Sequence, residues 1–146
     1  MPKRSAGLLL FRRTPDLEVL LAHPGGPRHA GKDIWTLPKG EYAEDEPPLD
    51  AAYRKYAEEI GVAAPDADPV PLGEITQKSG KVVTAWAVEG ELDPASLRSN
   101  TFGMRWRGTW QEFPEIDRVQ WFGLEQARVK LMPAQVPFLE RLRDAL

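Results

Sequence analysis

Apolar and polar positions alternate between two rhythms along this chain. Residues 5–12 and 17–23 are apolar runs of strand length, separated by Thr14, Pro15 and Asp16, and they predict an antiparallel hairpin. Residues 23–33 (HPGGPRHAGKD) are rich in Gly, Pro and basic side chains and predict a loop, followed by a short extended segment at 34–38. From 47 to 60 the rhythm changes: Leu49, Tyr53, Tyr56 and Ile60 recur at helical spacing as one stripe, and Gly61 supplies a stop. Residues 70–77 and 81–89 flank Lys78-Ser79-Gly80 and predict a second hairpin. Residues 99–114 interleave Phe102, Met104, Trp106 and Trp110 with Arg105 and Arg107 and are read as a substrate-side loop of unsettled strand content. A last strand at 116–122 and helical segments at 124–131 and 133–146 complete a mixed α/β architecture.

Composition narrows what such a domain does. A chain of 146 residues forms one domain, 1–146, with one core. Its 42% hydrophobic and 28% charged residues are those of an ordinary globular protein. A net charge of −3 gives no basic field for long nucleic acid, although local basic clusters can hold a short polyphosphate. The absence of cysteine excludes a thiolate nucleophile, a disulfide framework and a zinc-cysteine cluster. His23 and His29 are too few and too isolated for a zinc site. The longest N-terminal apolar run, 6–11, is too short for a membrane span or a secretory signal core, so a cytoplasmic protein is expected. No heptad seam or long exposed apolar strand forces association, which leaves a monomer or homodimer.

The chemistry concentrates around the 47–60 helix. Glu58 and Glu59 are adjacent and off the apolar stripe, Arg54 and Lys55 lie one turn earlier, and all four are read onto one polar face. Upstream, residues 40–46 (GEYAEDE) form an acidic loop opened by a glycine, where a backbone carbonyl is available to a cation. Taken by itself this helix reads rather as a solvated charged face, with Lys55 and Glu59 a surface pair. The spacing decides. Gly40, Glu46, Arg54, Glu58, Glu59 and Gly61 fall in the pattern G-x5-E-x7-R-x3-EE-x-G with Val62 following.

In this the chain resembles the Nudix hydrolase family, whose signature G-x5-E-x7-R-E-U-x-E-E-x-G-U, with U apolar, runs here from Gly40 to Val62 with Tyr56 and Val62 in the apolar slots. The segments WTLPKG, SAGLLLFRR and PEIDRVQWF look like the diadenosine tetraphosphate hydrolase branch and its RNA pyrophosphohydrolase relatives. The resemblance implies an α/β/α sandwich around a mixed sheet, and magnesium- or manganese-dependent hydrolysis of a phosphoanhydride in a nucleotide, dinucleoside polyphosphates being the first choice. It implies that Glu58 and Glu59 ligate the metal with the Gly40 carbonyl, that Arg54 fills the fixed arginine of the catalytic helix, and that Glu46 braces the loop against it. Lys39 matches a phosphate-contacting position. Glu115 matches a distal acid that serves as metal ligand or as base, with Glu112 as the fallback.

One fixed position departs from the signature. The residue after the arginine is Lys55, where the family carries glutamate. A lysine near neutral pH neither binds magnesium nor accepts a proton, so the usual activation of water is in question, although its ammonium can hold a phosphate oxygen. Three readings follow: a slower hydrolase relying on Glu115, a nucleotide- or phosphate-binding module that does not cut, and a competent enzyme carrying an engineered lysine. Trp86, Trp106, Trp110 and Phe102 are candidates for stacking on a base, with Trp86 read rather as core, and Trp35 is a further substrate-binding candidate. Arg28, His29, Lys32, Lys78 and Lys81 are candidates for neutralising a polyphosphate.

Overall fold

The computed structural model describes residues 3–13 and 15–146. Thr14, placed in the first turn by the sequence, lies outside them, while the two strands it was expected to join, β1 (Arg4–Arg12) and β2 (Glu18–Pro24), pair antiparallel. They are followed by β3 (Lys39–Glu41), helix α1 (Pro48–Ile60), β4 (Val70–Thr76), β5 (Val82–Glu89), β6 (Thr101–Trp106), β7 (Thr109–Pro114), β8 (Ile116–Gly123), α2 (Leu124–Lys130) and α3 (Pro137–Ala145).

The main sheet runs β4-β5-β1-β2-β8, and β3 pairs with β1 beside β2. Because β1 and β5 are parallel while the other pairs are antiparallel, the sheet is mixed. Strand β1 is central and covered on both faces, which is why its sequence is a continuous apolar run. Leu9 and Phe11 face α2 and α3 with Leu21, Phe122, Phe138 and Leu142. Ala6, Leu8 and Leu10 face α1 with Ala52, Tyr56 and Ile60. Two helical layers thus cover opposite faces of one sheet, the α/β/α sandwich expected. No helix among the described residues is long and apolar enough to cross a membrane.

Helix α1 carries its own boundaries. Pro48 begins it, where a missing N–H costs nothing, and Asp50 complements the positive end of the helix dipole. Gly61 ends it in the left-handed conformation, φ 87°, with its N–H donating to the Ala57 carbonyl. The buried stripe differs from the predicted one, however. It consists of Ala51, Ala52, Tyr56, Glu59 and Ile60, while Leu49 and Tyr53 are only half-buried. Glu59, three residues after Tyr56, therefore lies on the core side rather than on a common polar face with Arg54, Lys55 and Glu58.

The segment 99–114, whose strand content the sequence left open, forms a second, two-stranded sheet, β6 against β7. Its turn is Arg107-Gly108, both at positive φ, as a two-residue hairpin turn requires.

Candidate active site

The two ends of the site are joined by backbone hydrogen bonds. The Asn100 N–H donates to the Glu58 carbonyl, the Glu115 N–H to the Asn100 carbonyl, and the Gly25 N–H to the Glu115 carbonyl, each at 2.9 Å. This relay ties the last turn of α1, the base of the β6–β7 hairpin, the start of β8 and the 25–33 loop into one unit. It sets the exposed Glu115 close enough to Glu59 for their charges to repel.

Glu59 is 9% exposed. Burial, then the Glu115 charge, pushes its carboxyl up to about 8; Lys39, Lys55 and the Lys39 backbone N–H oppose this only in part. Lys39 is correspondingly lowered from its ordinary range, first by burial and then by Lys81, with Glu59 and Glu41 pulling the other way. Lys81 itself reaches Glu41, at 3.5 Å. A buried acid, an exposed acid and three lysines therefore meet at the end of α1 and the edge of β3.

Glu58 is placed differently from its neighbour. One oxygen accepts from Arg54 Nη1 at 3.0 Å and the other lies 3.6 Å from Lys55 Nζ. The surface pair expected between Lys55 and Glu59 is thus made with Glu58. Arg54 also grips both oxygens of Glu46, at 2.7 and 2.8 Å, so the acidic loop is fastened to the helix by a two-pronged bridge that lowers the Glu46 carboxyl from its usual range. The aliphatic stem of Lys55 crosses Gly40: a Cβ there would stand 2.5 Å from Lys55 Cδ and Cε, so a side chain at 40 would push that flexible stem aside.

Other predicted residues scatter. Trp35 is 3% exposed, its indole donating to Asp33 and its ring wedged edge-on between His23 and Phe122, so it has no free face for a base. Trp106 is half-buried at the hairpin tip, with the turn residue Arg107 over its ring. Trp86 packs against the α1-side core. Glu112, the fallback acid, accepts from Thr101 across the hairpin at 2.7 Å through one of its two oxygens. Arg28 and His29 line a cavity with Phe102 and Met104, while Lys78 lines a separate one near Met132.

Sequence reasoning gave His23 no task, yet its ring is buried. Nδ1 lies 2.8 Å from Asp117 and Nε2 2.6 Å from the Lys32 carbonyl, pinning the far end of the 25–33 loop to β8. A histidine closing an apolar strand next to a Gly-Pro loop was the available signal.

Among the described residues no three acidic or imidazole side chains form a ready-made cation site. The donors present nevertheless fit one hard divalent ion. Magnesium is commonly held by one or two carboxylates, with water and substrate phosphate completing the shell, and Glu59 and Glu115 are two carboxylates near enough for their charges to repel.

A sandwich of this topology with a Gly40–Val62 signature helix over its sheet defines a Nudix-type protein. The family model described as NUDIX domain matches residues 1–142, and the chain belongs to that family. It is similar to the RNA pyrophosphohydrolase of Halorhodospira halophila, 36% identical over 56 residues, or 36% of this chain and 31% of that protein. It is also similar to the RNA pyrophosphohydrolase of Hahella chejuensis, 33% identical over 63 residues, or 40% of this chain and 38% of that one. The matches thus span 31% and 38% of these relatives' length. The crystal structure of a C. elegans Ap4A hydrolase binary complex superposes with a TM-score of 0.71 at 20% identity, covering 96% of both chains. That likeness shows the shared fold.

Proposed function

We propose that this chain hydrolyses a phosphoanhydride bond in a nucleotide, with dinucleoside polyphosphates of the diadenosine tetraphosphate kind as first choice, and that magnesium or manganese assists. The observation that carries this reading is the pairing of buried Glu59 with exposed Glu115 beside Lys39, Lys55 and Lys81. Glu59 and Glu115 hold the ion, which supplies Lewis-acid polarisation of a phosphoryl oxygen. Glu115 is the acid that solvent reaches, and we assign it the proton of the attacking water. Lys39 and Lys55 place ammonium groups against the polyphosphate, and Lys81, shared with Glu41, extends that positive edge. Arg54 keeps Glu46 and Glu58 in register so that the loop opened by Gly40 does not shift. The names of the similar proteins support the substrate class, dinucleoside tetraphosphate in one case and RNA in the others. We place the activity in the cytoplasm.

A second reading, binding without cleavage, draws support from Lys55 and from the engagement of both Glu58 oxygens by cations. One experiment separates the two. Product release from diadenosine tetraphosphate, a 5′-triphosphorylated RNA and ADP-ribose is followed with and without magnesium, for the chain as it stands and for Glu59→Gln and Glu115→Gln. Magnesium-dependent release that both variants lose by a hundredfold or more supports hydrolysis. Tight binding with no release from any substrate selects the binding module.

A further inference from the structure

Glu115 is the single residue between β7, which ends at Pro114, and β8, which begins at Ile116, so it stands where the small sheet hands over to the large one. Its side chain is exposed, and the backbone bend at this residue is what aims the carboxylate. Hydrogen bonds fix that bend. The Glu115 N–H donates to the Asn100 carbonyl and the Glu115 carbonyl accepts from the Gly25 N–H, both at 2.9 Å. The next bond is made by a side chain: the Ile116 N–H donates to the Ser99 hydroxyl oxygen at 3.0 Å.

Segment 97–100 also closes the end of α1. The Arg98 N–H donates to the Ile60 carbonyl at 2.8 Å and the Asn100 N–H to the Glu58 carbonyl at 2.9 Å, satisfying acceptors that a helix C-terminus leaves open. The approach is close, since a Cβ on Gly61 would lie 2.2 Å from the Arg98 carbonyl oxygen. The same short segment therefore holds the turn carrying Glu58 and Glu59 on one side and Glu115 on the other.

Ser99 sits between these contacts, and its hydroxyl works in both directions. An amide N–H only donates, so the oxygen accepts from Ile116, and the single hydroxyl proton goes to the Asn100 carbonyl at 2.8 Å rather than to Asn100 Oδ1 at 3.5 Å. The Asn100 carbonyl thus takes the Ser99 hydroxyl with one lone pair and the Glu115 N–H with the other. Ile116 is buried in the α1-side core, so removing the hydroxyl leaves its N–H short of an acceptor and loosens the bend beside it.

We propose that Ser99 is a positioning residue for Glu115: by joining the Ile116 N–H to the Asn100 carbonyl, its hydroxyl holds the bend from which this exposed acid meets buried Glu59. Ser99 acts through Glu115 and not on the ion or the substrate. This role rests on the reading above in which Glu59 and Glu115 share a divalent cation, and it names the group that keeps the two acids in register.

Manganese affinity is measured by electron paramagnetic resonance in the presence of methylenediphosphonate, for the chain as it stands, Ser99→Ala, Ser99→Thr, Glu115→Gln and the Ser99→Ala/Glu115→Gln double variant. Circular dichroism checks that each is folded. Ser99→Ala is expected to weaken manganese about fivefold or more, the worth of one hydrogen bond, while Ser99→Thr, which keeps the hydroxyl, stays within about twofold. Once Glu115 is glutamine, removing the hydroxyl should change affinity by less than about twofold, because no carboxylate is left to aim. A folded Ser99→Ala that binds manganese as the unaltered chain does overturns the proposal. So does an undiminished loss in the Glu115→Gln background, which would make Ser99 a support of the fold at large. Ser99→Cys, similar in size and a weak hydrogen-bonding group, keeps the test open if Ser99→Ala does not fold. Full manganese affinity in Glu115→Gln defeats the shared-cation reading and the role of Ser99 together; a loss in Glu115→Gln that Ser99→Ala does not share defeats only the latter.

Discussion

Replacing Glu59 with glutamine should make the metal-free protein more stable, increasingly so as pH rises. The carboxyl titrates from an ordinary 4.5 when unfolded to about 8 when folded, because burial and then Glu115 disfavour its charge. Below about 4.5 both states are protonated and the group imposes no penalty. Between 4.5 and 8 the unfolded chain ionises while the folded one keeps its proton, so stability falls as pH rises, and above 8 the loss is complete. At about 1.36 kcal/mol per pH unit the ceiling is roughly 5 kcal/mol. Glutamine keeps the shape and removes the titration. Urea unfolding of both proteins in EDTA from pH 5 to 9 should give curves that diverge by about 2 kcal/mol or more toward the alkaline end, the variant being the more stable. Magnesium with a polyphosphate should narrow the gap, since a bound cation favours the ionised acid. Parallel stability curves would refute the reasoning, because they would mean that Glu59 ionises as readily folded as unfolded.

Three further outcomes follow. Lys55→Glu restores the signature acid beside Glu58 and should raise magnesium-saturated turnover of diadenosine tetraphosphate by about tenfold or more, read by chromatography of products; no gain would show that the lysine does not limit this chain. Gly61→Ala forces a side chain into φ 87° with its Cβ 2.2 Å from the Arg98 carbonyl oxygen, and should cost roughly 3 kcal/mol or more in urea unfolding. Gln135→Leu removes the buried acceptor for the Leu37 N–H and the Thr36 hydroxyl, and should cost about 2 kcal/mol by the same measure.

Features encoded by neighbouring residues were legible in the sequence. Pro48 and Gly61 bound α1 through their own backbone limits, and Lys78-Ser79-Gly80 joins β4 to β5 as the turn chemistry required. The helix stripe was misread because its core side contains Glu59, a residue that periodicity assigns to solvent; Ala51 and Ala52, small and unobtrusive, line the core instead of Leu49. The β6–β7 hairpin escaped because no strand position in it is fully buried, so the alternation that marks a half-buried strand is weak, and only Arg107-Gly108 signalled the turn. Trp35 stood among the substrate candidates as part of WTLPKG, in the extended segment 34–38. In the fold that segment is stitched to β2 through Thr36 and to α2's end through Leu131, which draws the indole into the core. The meeting of Glu59 and Glu115 depends on backbone hydrogen bonds among residues 25, 58, 100 and 115, and no local pattern encodes those.

On the function proposed, Glu59 and Glu115 together gather a divalent cation against a bound polyphosphate. Manganese binding, followed by electron paramagnetic resonance in the presence of a methylene-bridged diadenosine polyphosphate, tests it without turnover. A saturable ion is expected in the chain as it stands, at least about tenfold weaker in Glu59→Gln and in Glu115→Gln and unaltered by Glu112→Gln. Manganese held equally well by all four proteins would contradict it.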